Sequence, residues 1–373
     1  MAERAHLRSL GSMQLGTLLQ RLRTRPSIAG ALVSARLLGR ATLVHASLRV
    51  TDRCNLRCRY CSLPLFKTAE LTTEQWVSII DELASLGCRR ITFLGGEPLL
   101  RTDLGALAAA AWEKGIACAV TSNGLLVRKR LADLGRVENL ILSLDAPSPA
   151  NDAARGEGTF AAVEDAIEAA THAGLPVTIN AVISASTVEF LDAMIDFAAH
   201  KRCALTVNLM RFGNPELWRE AEQLRLTDGQ IRGVLERLAR LARQLRHLKI
   251  SSKTYEYAAR WPNYERDRLE EHEISRRELR AIGAPRCQAG RRFLCIAPDG
   301  GVFPCPVTRG QIDGGNAVAI GVHAAWQNLQ SHRCVACYSP CLAEVNYLYS
   351  LSPRVLWELV CRGLPRRSWS SAS

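Results

Sequence analysis

The sequence predicts an α/β fold, a partial (β/α)6 TIM-like barrel followed by a small C-terminal α+β, cysteine-rich segment. Three observations predict it. Short apolar runs rich in β-branched residues recur at 47–51, 90–94, 116–121, 138–144, 176–183 and 204–210. Segments with apolar residues at helical spacing separate them, at 73–86, 103–114, 126–134, 159–173 and 187–200. Strand–helix units in unbroken alternation imply a parallel sheet, here two units short of the closed eight-stranded barrel. The third observation is that six cysteines cluster between residues 287 and 341, after the alternation has stopped.

In chain order, residues 1–45 read as a basic amphipathic helical extension. Leu10, Met13, Leu15, Leu18, Leu19 and Leu22 lie near helical spacing with arginines between, and Pro26 interrupts them. The barrel occupies 46–215. Glycines just past the helical runs in "ELASLGCRR", "AAWEKGIA" and "EAATHAGLP" mark helix ends, and Thr72–Thr73 and Thr187 are placed to cap helix starts. A helical and linker region spans 216–284, with "LERLARLARQLRHL" reading as a long arginine-rich helix over 215–247. A cluster domain takes 285–345, and 346–373 forms a basic C-terminal helix and tail. Cys88, Cys118, Cys203 and Cys361 stand singly in apolar runs and read as core residues.

The chain has 13 cysteines and no signal-peptide pattern, which reads as a reducing, cytoplasmic setting where clustered thiols bind metal. Net charge is +12, but residues 1–46 hold seven arginines against one glutamate, and 354–373 hold four against one. The body is nearly balanced, which excludes a basic nucleic-acid groove across it. The basic ends instead suit peripheral contact with an anionic membrane face.

The chemistry centres on "TDRCNLRCRYCSLP", where Cys54, Cys58 and Cys61 are spaced C-x3-C-x2-C directly after the first strand. Thiolates are soft ligands suited to iron–sulfur clusters and to zinc, and the spacing alone fits either. Three thiolates can hold three irons of a cubane and leave the fourth open. In parallel barrels the strand C-termini carry the reactive site.

With its aromatic Tyr60, this motif resembles the radical S-adenosylmethionine (SAM) superfamily. Further segments match in order: "GGEPLL" (95–100), "TSNG" (121–124) and "LSLDAPSPANDAARGEGTF" (142–160), each after a successive strand. The resemblance covers about residues 45–215. It implies that Cys54, Cys58 and Cys61 ligate a 4Fe–4S cluster whose open iron binds SAM. Reductive cleavage would give a 5′-deoxyadenosyl radical that abstracts hydrogen from a substrate. It further implies that Tyr60 packs near the adenine, that Gly95, Gly96 and Glu97 line the methionine end, and that Pro98 fixes the turn. Ser143 would meet the ribose hydroxyls and Arg155 the SAM carboxylate, with Ser122, Asn123 and Asp145 facing the same cavity. Turn chemistry at strand ends is the structural alternative for Ser122, Asn123 and Asp145.

Cys287, Cys295, Cys305, Cys334, Cys337 and Cys341 form the second set. The hairpin "CQAGRRFLCIAPDGGVFPC" followed by Cys-x2-Cys resembles the SPASM/twitch extension of radical SAM enzymes, which binds auxiliary 4Fe–4S clusters. The chain departs from the seven-cysteine SPASM pattern, so one twitch-like cluster is implied. Cys287, Cys305, Cys334 and Cys337 make the simplest ligand set, with Cys295 and Cys341 as candidates to displace one of them. A structural zinc is the alternative there. Four protein thiolates leave no iron open, which favours electron transfer.

SAM is the expected cofactor, and the expected partners are an electron donor such as flavodoxin or ferredoxin and a substrate. The segment before the barrel is short for a leader-peptide-binding domain, so a lipid or other small molecule is favoured over a peptide. Peptide maturation of the ribosomally synthesised kind is the alternative, and a non-catalytic iron–sulfur scaffold or nucleic-acid-binding protein is the alternative of another class. Lys253, Tyr255, Tyr257, Trp261 and Tyr264 are candidates for substrate contact or proton transfer, against a bland reading as linker packing.

Overall fold

The computed structural model describes residues 42–210 and 219–363, together with Gly30 and Leu32. The expected N-terminal amphipathic helix and the tail beyond residue 363 lie outside the described residues. The first half runs β1 (His45–Thr51), α1 (Thr73–Ser85), β2 (Arg90–Gly95), α2 (Leu104–Glu113), β3 (Ala117–Ser122), β4 (Asn139–Ser143), α3 (Ala150–Arg155), α4 (Thr159–His172), β5 (Val177–Ile183), α5 (Leu191–His200) and β6 (Ala204–Leu209). Each long helix presents an i, i+3, i+4, i+7 apolar stripe to the sheet. In α1 it is Trp76, Ile79, Ile80 and Leu83, and in α5 it is Leu191, Met194, Ile195 and Ala198. Thr72 starts α1 with a reciprocal capping box to Gln75. Thr187 stands at the N-cap of the helical turn leading into α5, but its hydroxyl makes no cap bond and instead accepts from the Ser184 N–H.

Two helical expectations are corrected. Residues 126–134 form only a short 3-10 turn, Leu131–Leu134, because Arg130 reaches out to the carbonyls of Leu99 and Arg101 and holds the chain against the preceding loop. Of the long helix expected over 215–247, residues 215–218 lie outside the described residues, and the described part is helical over a shorter span. It is α6 (Asp228–Leu241), which begins only where Thr227 and Gln230 form a capping box.

Strands β6-β5-β4-β3-β2-β1 are parallel neighbours in that order. Residues alternate between faces along each strand. Ala46, Leu48 and Val50 of β1, with Ile91, Phe93, Leu140, Leu142, Ile179 and Val207, pack outward into the helix-lined core. The register aligns the inner-face residues Ser47 with Thr92, Ser143 with Asn180, and Asn180 with Thr206. The lumen is therefore largely polar. The Asn180 Oδ1 accepts from Thr206 Oγ1 at 3.0 Å and from Asn208 Nδ2 at 2.8 Å.

The second half contains α7 (Ser252–Ala259), β7 (Arg268–Glu270), α8 (Arg276–Ile282), β8 (Phe293–Ile296), β9 (Val302–Phe303), α9 (Ala317–Ile320), α10 (Val322–Asn328), β10 (Cys334–Cys337), α11 (Pro340–Tyr349) and α12 (Pro353–Gly363). The "APDGG" hairpin forms as β8 and β9, paired antiparallel. However, β8 also joins the main sheet, parallel to β1, with Ser47 opposite Cys295. The C-terminal cysteine segment thus continues the barrel wall. Helix α11 crosses the gap in the wall. At its start the Cys341 N–H donates to Asn208 Oδ1 at the end of β6. At its end Tyr349 packs edge-on against His45 and beside Phe293. Cys88, Cys118 and Cys203 are buried as expected, whereas Cys361 on α12 is only partly covered.

His45 lies on the inner face at the start of β1, 3.1 Å from Thr92 Oγ1. Burial, helped by Arg90, lowers its pKa to about 3, against about 6.5 in an unfolded chain. Its contribution to stability is complete above pH 6.5 and lost as pH falls toward 3, because the unfolded state binds the proton first. Urea unfolding midpoints should fall between pH 6.5 and 4, and the fall should be shallower in His45→Gln. Equal slopes in the two proteins would contradict this assignment.

Candidate active site

The loop after β1 carries Cys54, Cys58 and Cys61, all half-buried free thiols. The Cys54 sulfur accepts from the Leu56 N–H at 3.4 Å and lies 3.9 Å from Asn123 Nδ2. Asn123 Nδ2 also donates to Asn55 at 2.8 Å, so this loop and the one after β3 hold each other. Burial raises the pKa of all three thiols, that of Cys58 to about 11. Cys54 and Cys61 both help to raise the Cys58 thiol, after burial, so the three thiols are near one another. Arg57, Arg59 and Lys67 are exposed around this loop.

The residues expected around SAM are gathered at the same end of the barrel, but several are already engaged with one another. A Cβ on Gly95 would lie 2.3 Å from the Thr51 carbonyl oxygen, and one on Gly96 2.2 Å from that of Arg53. The glycines are thus required by backbone contact with the cysteine loop. The N–H groups of Gly96 and Glu97 donate to Thr51 O and Arg53 O, each at 2.8 Å. Glu97 does not face a cavity. It is fully buried and accepts from Ser122 Oγ at 3.0 Å, Asn123 N at 2.8 Å and Leu99 N at 3.0 Å. Burial raises its pKa against these three bonds. Pro98 opens a buried 3-10 turn, as expected.

Asp145 and Arg155 pair with each other. Arg155 Nε and Nη2 donate to the two Asp145 oxygens at 2.7 and 2.8 Å. Asp145 also accepts from the Tyr60 hydroxyl and, at 2.9 Å, from Val182 N. Arg155 sits 5.5 Å above the Tyr60 ring. The fork that sequence reasoning assigned to the SAM carboxylate is therefore half occupied, with the Nη1 edge remaining. Ser143 is partly exposed at the end of β4.

In the second set, Cys287, Cys305, Cys334 and Cys337 line a single small cavity, together with Arg268, His332, Leu342 and Asn346. Cys295 and Cys341 do not line it. Cys295 is on β8, facing the lumen beside Arg49 and the Asp52–Arg309 pair. Cys341 is exposed at the start of α11, 3.4 Å from Ser339 Oγ. Antiparallel pairing of β7 with β10 sets Arg268 opposite Cys337. A hydrogen bond from Cys287 lowers the pKa of Cys334, to which Arg268 also donates, and the same bond holds Cys287 well above the usual thiol range. His332 Nε2 lies 2.7 Å from the Ala289 carbonyl, while its Nδ1 is buried without a partner.

Among the described residues no three His, Cys, Asp or Glu side chains converge closely enough for a single metal ion. Thiols arranged around a space, each facing its own corner, instead fit a multi-iron cluster. The first set offers three thiols on one loop, and the second offers four that line one cavity.

The expected substrate contacts at 253–264 are corrected. Tyr255, Tyr257, Trp261 and Tyr264 are buried, and their polar atoms donate to the carbonyls of Val207, Cys337, Arg266 and Ala258. Lys253 donates to Ser352 Oγ at 2.9 Å and lies over the Tyr347 ring. These residues pack the linker against the barrel. Sequence reasoning missed Arg268 and His332, which carry no motif, and Arg309. Arg309 forms a two-pronged pair with Asp52, both contacts at 2.9 Å, two residues from Cys54 and four from Cys305. Asp52 is 3% exposed, so Arg309→Met would leave a buried carboxylate facing only Thr68. We expect a loss of about 3 kcal/mol in chemical denaturation, partly recovered when Asp52→Asn is added. A single variant as stable as the parent would show that the pair is not a structural tie.

The description "Radical SAM superfamily" matches residues 48–198. The PqqA peptide cyclase of Granulibacter bethesdensis is 31% identical over 275 residues, 69% of this chain and 66% of that protein. The Fe-coproporphyrin III synthase of Methanosarcina barkeri is 34% identical over 161 residues, 41% of this chain and 40% of that protein. The chain thus spans between two fifths and two thirds of the length of these curated relatives. Among solved structures, Streptococcus suis SuiB bound to precursor peptide SuiA shares the fold, with a TM-score of 0.58 at 19% identity over 79% of this chain and 67% of that one. The cysteine loop, the strand-end segments and the barrel agree with these matches: the chain belongs to the radical SAM superfamily, whose members use a 4Fe–4S cluster and SAM.

Proposed function

We propose that the chain is a radical SAM enzyme of the SPASM/twitch type that modifies a peptide. Cys54, Cys58 and Cys61 hold the SAM-binding cluster, and Cys287, Cys305, Cys334 and Cys337 hold one auxiliary 4Fe–4S cluster. The observation that carries the reading is the contrast between the two thiol sets. Three sulfurs sit in a loop at the mouth of the barrel, and four line a single cavity beside the strand that extends the barrel wall. Bound at the first set, cluster and SAM supply a radical that removes hydrogen from an unactivated C–H bond.

The chain's own residues supply placement. Asp145, fixed by Arg155 and Val182, orients Tyr60 and with it the cysteine loop. Glu97 ties the loops after β2 and β3 together, so the cavity wall is preorganised. Ser143 and the Asn180–Asn208 pair offer hydrogen bonds at the mouth. Four thiolates in the second cavity leave no coordination position for substrate, which suits an electron acceptor. The exposed Arg57, Arg59 and Lys67 suit an acidic donor such as flavodoxin or ferredoxin.

A peptide displaces the lipid favoured by sequence reasoning for two reasons. The lumen is polar, which gives an alkyl chain no apolar trough. A similar protein is named for a peptide it cyclises, and another is solved with a precursor peptide. No helix among the described residues is long and apolar enough to cross a membrane. The synthase of a coproporphyrin among the relatives supports a small-molecule substrate as the second reading. Thirteen cysteines, none of them in a disulfide, agree with a reducing cytoplasmic setting.

Anaerobic reconstitution tests the assignment. The parent should carry about eight irons per chain and release 5′-deoxyadenosine from SAM under reduction. Replacing Cys54, Cys58 and Cys61 by Ala should leave about four irons and abolish 5′-deoxyadenosine. Replacing Cys287 and Cys334 by Ala should also leave about four irons but preserve SAM cleavage. A fully loaded parent that never releases 5′-deoxyadenosine would sink the enzyme reading.

A further inference from the structure

The roles assigned above leave one buried charge in the lumen unexplained. Ser47 and Arg49 of β1 alternate with Ala46, Leu48 and Val50, which belong to the outer core, so they face inward. Arg49 is 8% exposed, and its Nε is buried without a hydrogen-bond partner. Other buried arginines differ. Arg101 is paired with Asp103 and Glu70, and Arg155 with Asp145. No carboxylate among the described residues pairs with Arg49. Its register neighbour on β2 is Leu94, which offers only hydrocarbon. Its charge lowers the thiol pKa of both Cys61 and Cys295, so it lies near each. A guanidinium remains charged at any physiological pH, and an unpaired buried charge is strongly unfavourable. The position is therefore suited to an anion that arrives from outside the chain.

We propose that Arg49 is a carboxylate receptor in the lumen and holds an acidic side chain of the peptide substrate. This rests on the peptide reading above. Position distinguishes the substrate from SAM as the source of the carboxylate. Apart from Tyr60 in the cysteine loop, the residues expected around SAM lie on and after β2, β3 and β4. Arg49 lies on β1, one residue past its pairing with β8, the strand of Cys295 in the second cysteine set. An acid bound there sits on the side of the lumen that leads from the first thiol set toward the second. Arg presents a planar fork that a carboxylate can engage with two hydrogen bonds, whereas Lys retains only the charge.

The test is anaerobic binding to cluster-loaded, SAM-saturated protein, read by fluorescence anisotropy. Two fluorescein-labelled peptide pools are used, identical except that Glu and Asp in one are Gln and Asn in the other. Salt of about 0.3 M screens the general attraction of a basic protein for acidic peptides. The parent should favour the acidic pool by about tenfold or more, a difference of about 1.4 kcal/mol. Arg49→Gln should lose the preference and Arg49→Lys keep part of it, with SAM affinity and iron content unchanged in both. Equal or absent binding of the two pools by the parent overturns the proposal, as does a preference that survives in Arg49→Gln. Loss of SAM affinity or of iron in Arg49→Gln also overturns it, because Arg49 then belongs to the cofactor site. Should Arg49→Gln not fold, Arg49→Lys carries the comparison through loss of the fork. A chain that binds acidic peptides through Arg49 but modifies none of them refutes the peptide-modifying reading and leaves this one standing.

Discussion

The pairing of β8 alongside β1 is the constraint on which the site depends. It converts a C-terminal hairpin into an extra stave of the barrel wall and fixes the second cysteine set relative to the first. The Asp52–Arg309 pair pins the same junction at the strand ends. Asp52 follows β1 immediately and precedes Cys54 by two residues, and Arg309 follows Cys305 by four. The two thiol sets are thus joined through a short, buried and charged contact rather than through a flexible linker. Helix α11 completes the enclosure by running from the end of β6 to the start of β1.

Within that frame, buried carboxylates act as clamps. Glu97 and Asp145 are both fully buried, and each gathers three or more donors from different segments. Such groups are strongly unfavourable when unpaired and rigidifying when satisfied. Their position at the ends of β2 and β4 explains why strand-end loops with few regular hydrogen bonds can still hold a defined shape. The rigid shell leaves a polar lumen, with the Arg49 guanidinium facing into it.

Much of this was legible in the sequence, and the illegible part has physical causes. All six barrel strands lie where the alternation of apolar runs put them, because a parallel sheet covered by helices demands such runs. The four cysteines of the twitch-like pattern do line one cavity. Cys295 and Cys341 could not be separated from them by spacing, since only the pairing of β8 with β1 turns Cys295 to the lumen. Glu97 and Arg155 illustrate a related point, since in the structure both engage other protein groups. A motif records which residues converge, but not whether they meet a ligand or one another. Arg49 left a signal that went unread: in "HASLRVT" it is a charge at an alternating position of a strand whose other faces are covered. Arg268, His332 and Arg309 left none, because their partners are distant in the chain.

Iron-edge anomalous diffraction from anaerobically grown crystals of the reconstituted protein tests the central claim most directly. The account predicts two iron centres, one beside Cys54, Cys58 and Cys61, and one in the cavity of Cys287, Cys305, Cys334 and Cys337. Each iron of the second should be bound by one of those four sulfurs. A single centre, or a second centre ligated by Cys295 or Cys341, would contradict it.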